Sequence, residues 1–149
     1  MKPIIILSIV CILLSTVKGN IAAAPGTRTS ESDKVEERIL ALVKKMREVN
    51  AYLKAHKKDN AMLLVERRPE ADFKYYYISV GLGNLGMYRA TTHFCINPKT
   101  FQVYYVDFMD WTGNGLVPLQ QWRRLRNNPE FQSLHKIRNG RLIRTNEII

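Results

Sequence analysis

Near residue 60 the chain changes its hydrophobic period, and that change restricts its architecture more than any other feature of the sequence. Val35, Ile39, Leu42, Met46, Val49 and Leu53 recur at steps of three and four, the spacing of one helix face. Glu36, Glu37, Lys44, Lys45 and Glu48 occupy the other side. Ser30 or Ser32 can cap the helix, and Asp33, Glu36 and Glu37 suit its positive end. A helix from Asp33 to His56 would run about 36 Å. From Ala61 the apolar residues fall into short segments rich in β-branched and aromatic side chains, at 61–66, 73–80, 87–96 and 101–107. This order predicts an α+β domain, with a long N-terminal helix packed on a curved four-stranded antiparallel sheet and short C-terminal helices. The apolar seam spans too few heptads for a coiled coil, and the β-rich segment that follows offers it a sheet to pack on.

Asn97-Pro98-Lys99-Thr100 reads as a tight turn between the last two strands, placing Ile96 opposite Phe101, Phe94 opposite Val103 and Thr92 opposite Tyr105. One face then carries Ala90, Thr92, Phe94, Ile96, Phe101, Val103 and Tyr105, and covers the helix. The other, partly wet, carries Thr91, His93, Cys95, Gln102, Tyr104 and Val106.

At 149 residues, 46% hydrophobic and 24% charged, the composition excludes a collagenous, wholly disordered or multi-span chain. Met1-Lys2-Pro3, the apolar run from Ile4 to Leu14 and the polar exit Ser15 to Gly19 read as a secretory signal peptide. The run is shorter than the roughly 20 apolar residues a bilayer span needs. The expected organisation is a signal peptide at 1–19, a flexible linker at 20–32 and one domain at 33–149, of which 118–149 is a basic helical tail. Cleavage after Gly19, or within Ala22 to Ala24, implies a secreted or periplasmic protein with no membrane span in the mature chain. Cleavage after Gly19 removes Lys2 and Lys18, leaving 21 of the 23 basic residues against 13 acidic. It also leaves Cys95 as the single cysteine, read as a small apolar strand residue.

Three motifs invite chemistry and fail on context. Gly81-Leu82-Gly83-Asn84-Leu85-Gly86 matches a dinucleotide fingerprint, but the following Met87 to Ile96 is strand-like and ends at Asn97-Pro98. No helix opens at these glycines to hold a phosphate, so they read as a hairpin loop. Asp107 to Gly115 is rich in oxygen side chains without the alternation or terminal glutamate of a calcium loop. His56, His93 and His135 are scattered, with no metal or hydrolase motif around them; each reads as a surface or half-buried histidine. No catalytic residue, metal site or cofactor is expected.

From Pro118 a short helix carries Leu119, Trp122 and Leu125, with Arg123, Arg124 and Arg126 around it, and residues 129–138 suggest another with Phe131, Leu134 and Ile137. Arg and aromatic residues are common interface anchors. The sequence therefore predicts a non-enzymatic binding or inhibitory module using Trp122, Arg123, Arg124, Arg126, Trp111 and Tyr104. Its expected partner is a protein or an anionic envelope component. Export argues against nucleic acid. The rival reading is a small ligand-binding protein or hydrolase with a pocket on the concave sheet face, using His93, Tyr104 and Asp107.

The order of helix, strands and helical tail, with Tyr75-Tyr76-Tyr77-Ile78-Ser79-Val80-Gly81 and Ile96-Asn97-Pro98-Lys99-Thr100-Phe101-Gln102-Val103-Tyr104-Tyr105-Val106-Asp107, resembles small secreted bacterial domains of the PepSY-like and β-lactamase-inhibitor-like group. In that group an N/D-P-K-T-G-x-V turn joins two strands, and the shape is broadly cystatin-like. The resemblance covers residues 33 to 110, with Phe101 where the family has glycine. It implies a non-enzymatic envelope or extracellular module, in some members an inhibitor of a secreted enzyme, and it brings no catalytic residues.

Overall fold

The computed structural model describes residues 30–84, 86–110, 112 and 115–144. The expected signal peptide, most of the linker, and Trp111 lie outside the described residues.

Helix α1 (Glu31–Lys45) opens on a capping box. The Asp33 amide donates to Ser30 Oγ and the Ser30 amide to Asp33 Oδ2, so Ser30 is the cap. At Met46 the backbone turns extended (φ −60°, ψ 135°), and α2 (Arg47–Ala55) follows. No Gly or Pro marks this break. It leaves Met46 itself only 7% exposed while Ile39, Val43 and Val49 stay buried with it.

Five strands form one antiparallel sheet in chain order: β1 (Ala61–Arg67), β2 (Tyr76–Asn84), β3 (Met87–Ile96), β4 (Val103–Val106) and β5 (Leu116–Pro118). After β5 come α3 (Leu119–Leu125), a 3-10 turn at Pro129–Gln132, and a separate hairpin of β6 (His135–Arg138) and β7 (Arg141–Arg144). The expected architecture is therefore corrected in three respects. The long helix is two helices, the sheet has five strands and not four, and the second tail helix is a β-hairpin.

The hairpin has a local cause. Asn139 and Gly140 both take positive φ (51° and 76°) between Arg138 and Arg141, which face each other. That is the two-residue turn Asn-Gly favours, and it overrides the helical spacing of Phe131, Leu134 and Ile137. The glycine motif is not all loop: β2 runs through Gly81 to Asn84, which pairs with Met87 at the start of β3. At Gly81 the register with β3 shifts, and a Cβ there would collide with the Arg89 carbonyl.

Between β3 and β4 the register differs from expectation by two residues, pairing Phe94 with Tyr105, Cys95 with Tyr104 and Ile96 with Val103. Asn97 Oδ1 accepts from the Lys99 and Thr100 amides, the Phe101 amide closes onto the Asn97 carbonyl, and Phe101 takes φ 56°. An even offset leaves Phe94, Ile96, Val103 and Tyr105 on their expected face, whereas the register shift beside Gly81 pairs Ala90 with Gly81 and turns it to the face opposite Thr92. The core lies between the helices and Tyr76, Ile78, Val80, Phe94, Ile96, Val103 and Val117, with Trp122 and Phe131 closing one end. Among the described residues no helix is long and apolar enough to cross a membrane.

Candidate functional site

Because Ile78, Val80, Phe94 and Ile96 point toward the helices, their neighbours point away. The pairing Leu64–Ser79–His93 and the pairing Tyr77–Cys95–Tyr104 fix the rows of this outer face. Rings link across it. Phe108 stands edge-on to His93 at 5.0 Å, His93 lies 5.3 Å from Tyr77, Tyr77 meets Phe73 at 6.3 Å, Phe73 meets Tyr75 at 5.9 Å, and Tyr75 meets Tyr104 at 5.7 Å. The Arg67 guanidinium sits 4.6 Å over Phe73 and is held by Glu70 and Asp72. Phe108 is 64% exposed, Leu64 42% and Met62 41%, so this face carries large apolar groups that no second layer of the described residues covers.

Polar groups under these rings do not assemble a reaction centre. His93 Nε2 lies 3.5 Å from Glu66 Oε1, while its Nδ1 and the Oγ of Ser79, which pairs with His93 across the strands, are buried without a hydrogen-bond partner among the described residues. The Tyr88 hydroxyl is likewise buried beside Ser79 without reaching hydrogen-bond geometry, and burial raises its pKa. A nucleophile needs access and a base in contact with it. Ser79 is fully buried, and Cys95 is 1% exposed with its thiol pushed up to about 11 by burial. Burial, with Glu66 and Cys95 nearby, also raises the Tyr77 phenol. Among the described residues no group of His, Cys, Asp and Glu could hold a metal ion.

The residues named for the rival pocket separate. His93 and Tyr104 share the aromatic face. Asp107 turns inward, 4% exposed, and its Oδ2 lies 2.9 Å from Nε2 of His135, which is fully buried. His135 thus corrects the expectation of a surface or half-buried histidine. Its Nδ1 donates to the Ser133 carbonyl at 2.7 Å. The His135 amide also donates to the Met109 carbonyl, and the Asp107 amide to that of Gly115. Together these contacts fasten β6 to the loop after β4.

The tail residues also separate. Trp122 is 8% exposed and stacks on Tyr105 at 4.9 Å, so it is a core ring where an exposed anchor was expected. Arg123 donates two hydrogen bonds of 3.0 Å to Glu48, and Arg126 lies 5.2 Å over the Trp122 ring. Burial works to raise the Glu48 carboxyl, but the Arg123 hydrogen bonds and the charges of Arg123 and Arg126 outweigh it and hold the group below the usual range. Arg124 alone of this trio of arginines is exposed. Alternation could place Tyr75, Tyr77, His93 and Tyr104 on one face. Phe108, Leu64 and Met62 were missed; period-two alternation in β1 is the signal for the last two.

No family model, no curated protein and no solved structure matches the chain.

Proposed function

We propose that the chain is an exported, non-enzymatic binding or inhibitory module whose partner is a protein docking on the outer face of the five-stranded sheet. One observation carries this reading: the connected rings from Phe108 to Tyr104 lie beside exposed Leu64 and Met62, and no layer of the described residues covers them. Contiguous apolar surface of this kind marks interaction sites, and aromatic, Met and Arg side chains are enriched at their centres. Export rests on the N-terminal sequence, and places the partner in the periplasm or outside the cell. The family reading is supported by Phe101, whose φ of 56° is a conformation glycine adopts freely, at the position where the PepSY-like turn has glycine.

The test is capture from an envelope and secreted-protein extract by the full chain and by Phe108→Ala and Leu64→Ser variants. A stoichiometric protein held at high salt by the wild type and released by both variants is the expected result. Equal retention by the variants overturns the placement, and so does loss with Arg124→Ala alone. Retention of polyanions only, released as salt rises, overturns the protein partner.

A further inference from the structure

Strand β1 lies at one end of the sheet order, with β2 as its sole strand neighbour among the described residues. The Gly83 amide donates to the Asn60 carbonyl, which fixes the alternation of the ladder. Met62 and Leu64, in step with Asn60, therefore bond across to Gly81 and Ser79, and Leu63 and Val65 turn their amides and carbonyls outward. Among the described residues no backbone group of a turn, loop or cap meets them there. The opposite edge, β5, is three residues long and ends in Pro118, which blunts it. Strand β1 runs seven residues without proline and holds its charges in the last two, Glu66 and Arg67.

This edge is complementary to a second copy of itself. With two copies antiparallel about a two-fold axis at Leu64, Leu63 of one faces Val65 of the other, and the outward groups of these residues close four hydrogen bonds. Leu63 and Val65 pack toward the core, so the inner rows of the two sheets join. On the outer side Leu64, 42% exposed, meets its counterpart, and Met62 lies opposite Glu66. The ends match in charge as well. Exposed Lys54, Lys57 and Lys58 precede β1, with Asp59 the one acid between residues 54 and 59. Beyond the strand Arg67 is met by Glu70 and Asp72, and Arg68 by Glu36 and Asp33, two carboxylates to each guanidinium. Antiparallel pairing sets the basic end of one copy against the acidic end of the other.

We propose that the chain forms a two-fold dimer by pairing β1 with β1 of a second copy, joining two five-stranded sheets into one of ten strands. The inference does not rest on a protein docking over Phe108 and the outer rings, although Leu64 borders both surfaces.

Sedimentation velocity of the full chain alone tests it, and a reversible monomer–dimer equilibrium between about 1 μM and about 1 mM is expected. Leu64→Lys and Leu64→Glu each oppose like charges at the axis and should weaken dimerisation about tenfold or more, while a mixture of the two variants should pair again. Phe108→Ala should leave the equilibrium unchanged. If circular dichroism shows that a charge at this position unfolds the chain, oxidation with copper–phenanthroline decides: Leu64→Cys should cross-link, because opposed Cα atoms at such a pair lie about 4.5 Å apart, and Met62→Cys should not. A monomer throughout overturns the proposal. So do a dimer that Leu64→Lys leaves intact, mixed variants that fail to pair, and cross-linking at Met62→Cys equal to that at Leu64→Cys. Equal weakening by Phe108→Ala overturns it too, since that reports association through the outer face.

Discussion

Strands β2 and β3 present two faces built from alternate residues of the same stretch of chain, and the two faces have opposite fates. Ile78, Val80, Phe94 and Ile96 are at most 2% exposed under the helices. Tyr77, Ser79, His93 and Cys95 alternate with them on the other face, where only rings and a loop lie over them. Alternation alone does not tell which of the two faces another layer of the chain covers. The difference is made by residues far away in sequence, in the helices.

The sharpest way to break this contrast is to truncate one ring on each side. Phe94→Ala should cost about 3–5 kcal/mol in urea unfolding, as should Trp122→Ala, since both leave cavities in the core. Phe108→Ala should stay within about 0.5 kcal/mol of the wild type; a comparable loss there would mean that the outer face is a second core. His135→Ala, which strands the Asp107 carboxylate in the interior, should cost about 3 kcal/mol and loosen the hairpin first, read as amide exchange in β6 and β7.

Smaller effects sharpen the comparison. Glu48→Gln should cost about 1 kcal/mol at neutral pH. The native Glu48 carboxyl is held below its usual value, so its contribution is present above the unfolded pKa and disappears as pH falls through the native one. The stability curves of the wild type and the Glu48→Gln variant should therefore converge in acid, and parallel curves would refute the assignment. Ser79→Ala removes a buried hydroxyl that lacks a partner among the described residues, and should change stability by less than about 1 kcal/mol or increase it. A loss above that would show the hydroxyl to be satisfied in the folded protein.

The helix stripe was legible because its signal is local and repeats every turn. From Thr92 to Ile96, and in β4, the faces were legible as well, since parity survived a two-residue error in register; Ala90, beyond the bulge, lies on the other face from the one expected. The register error arose at Phe101, where a bulky residue takes a conformation its type rarely adopts. The hairpin at Asn139-Gly140 had a local signal that a competing helical spacing obscured. The contact of Asp107 with His135 spans 28 residues and has no local signature. Of the site, Tyr104 and His93 could be placed by alternation. The burial of Trp122 could not, because it depends on Tyr105 and Phe94 meeting it from another layer.

Cys95 lies on the outer row of β3 opposite Tyr104, yet its thiol is sealed and poorly ionised. Alkylation at that sulfur must wait for the strands around it to part, so its rate at fixed pH counts those openings. The chain thus carries its own clock for the outer face, one that a protein docked there would slow.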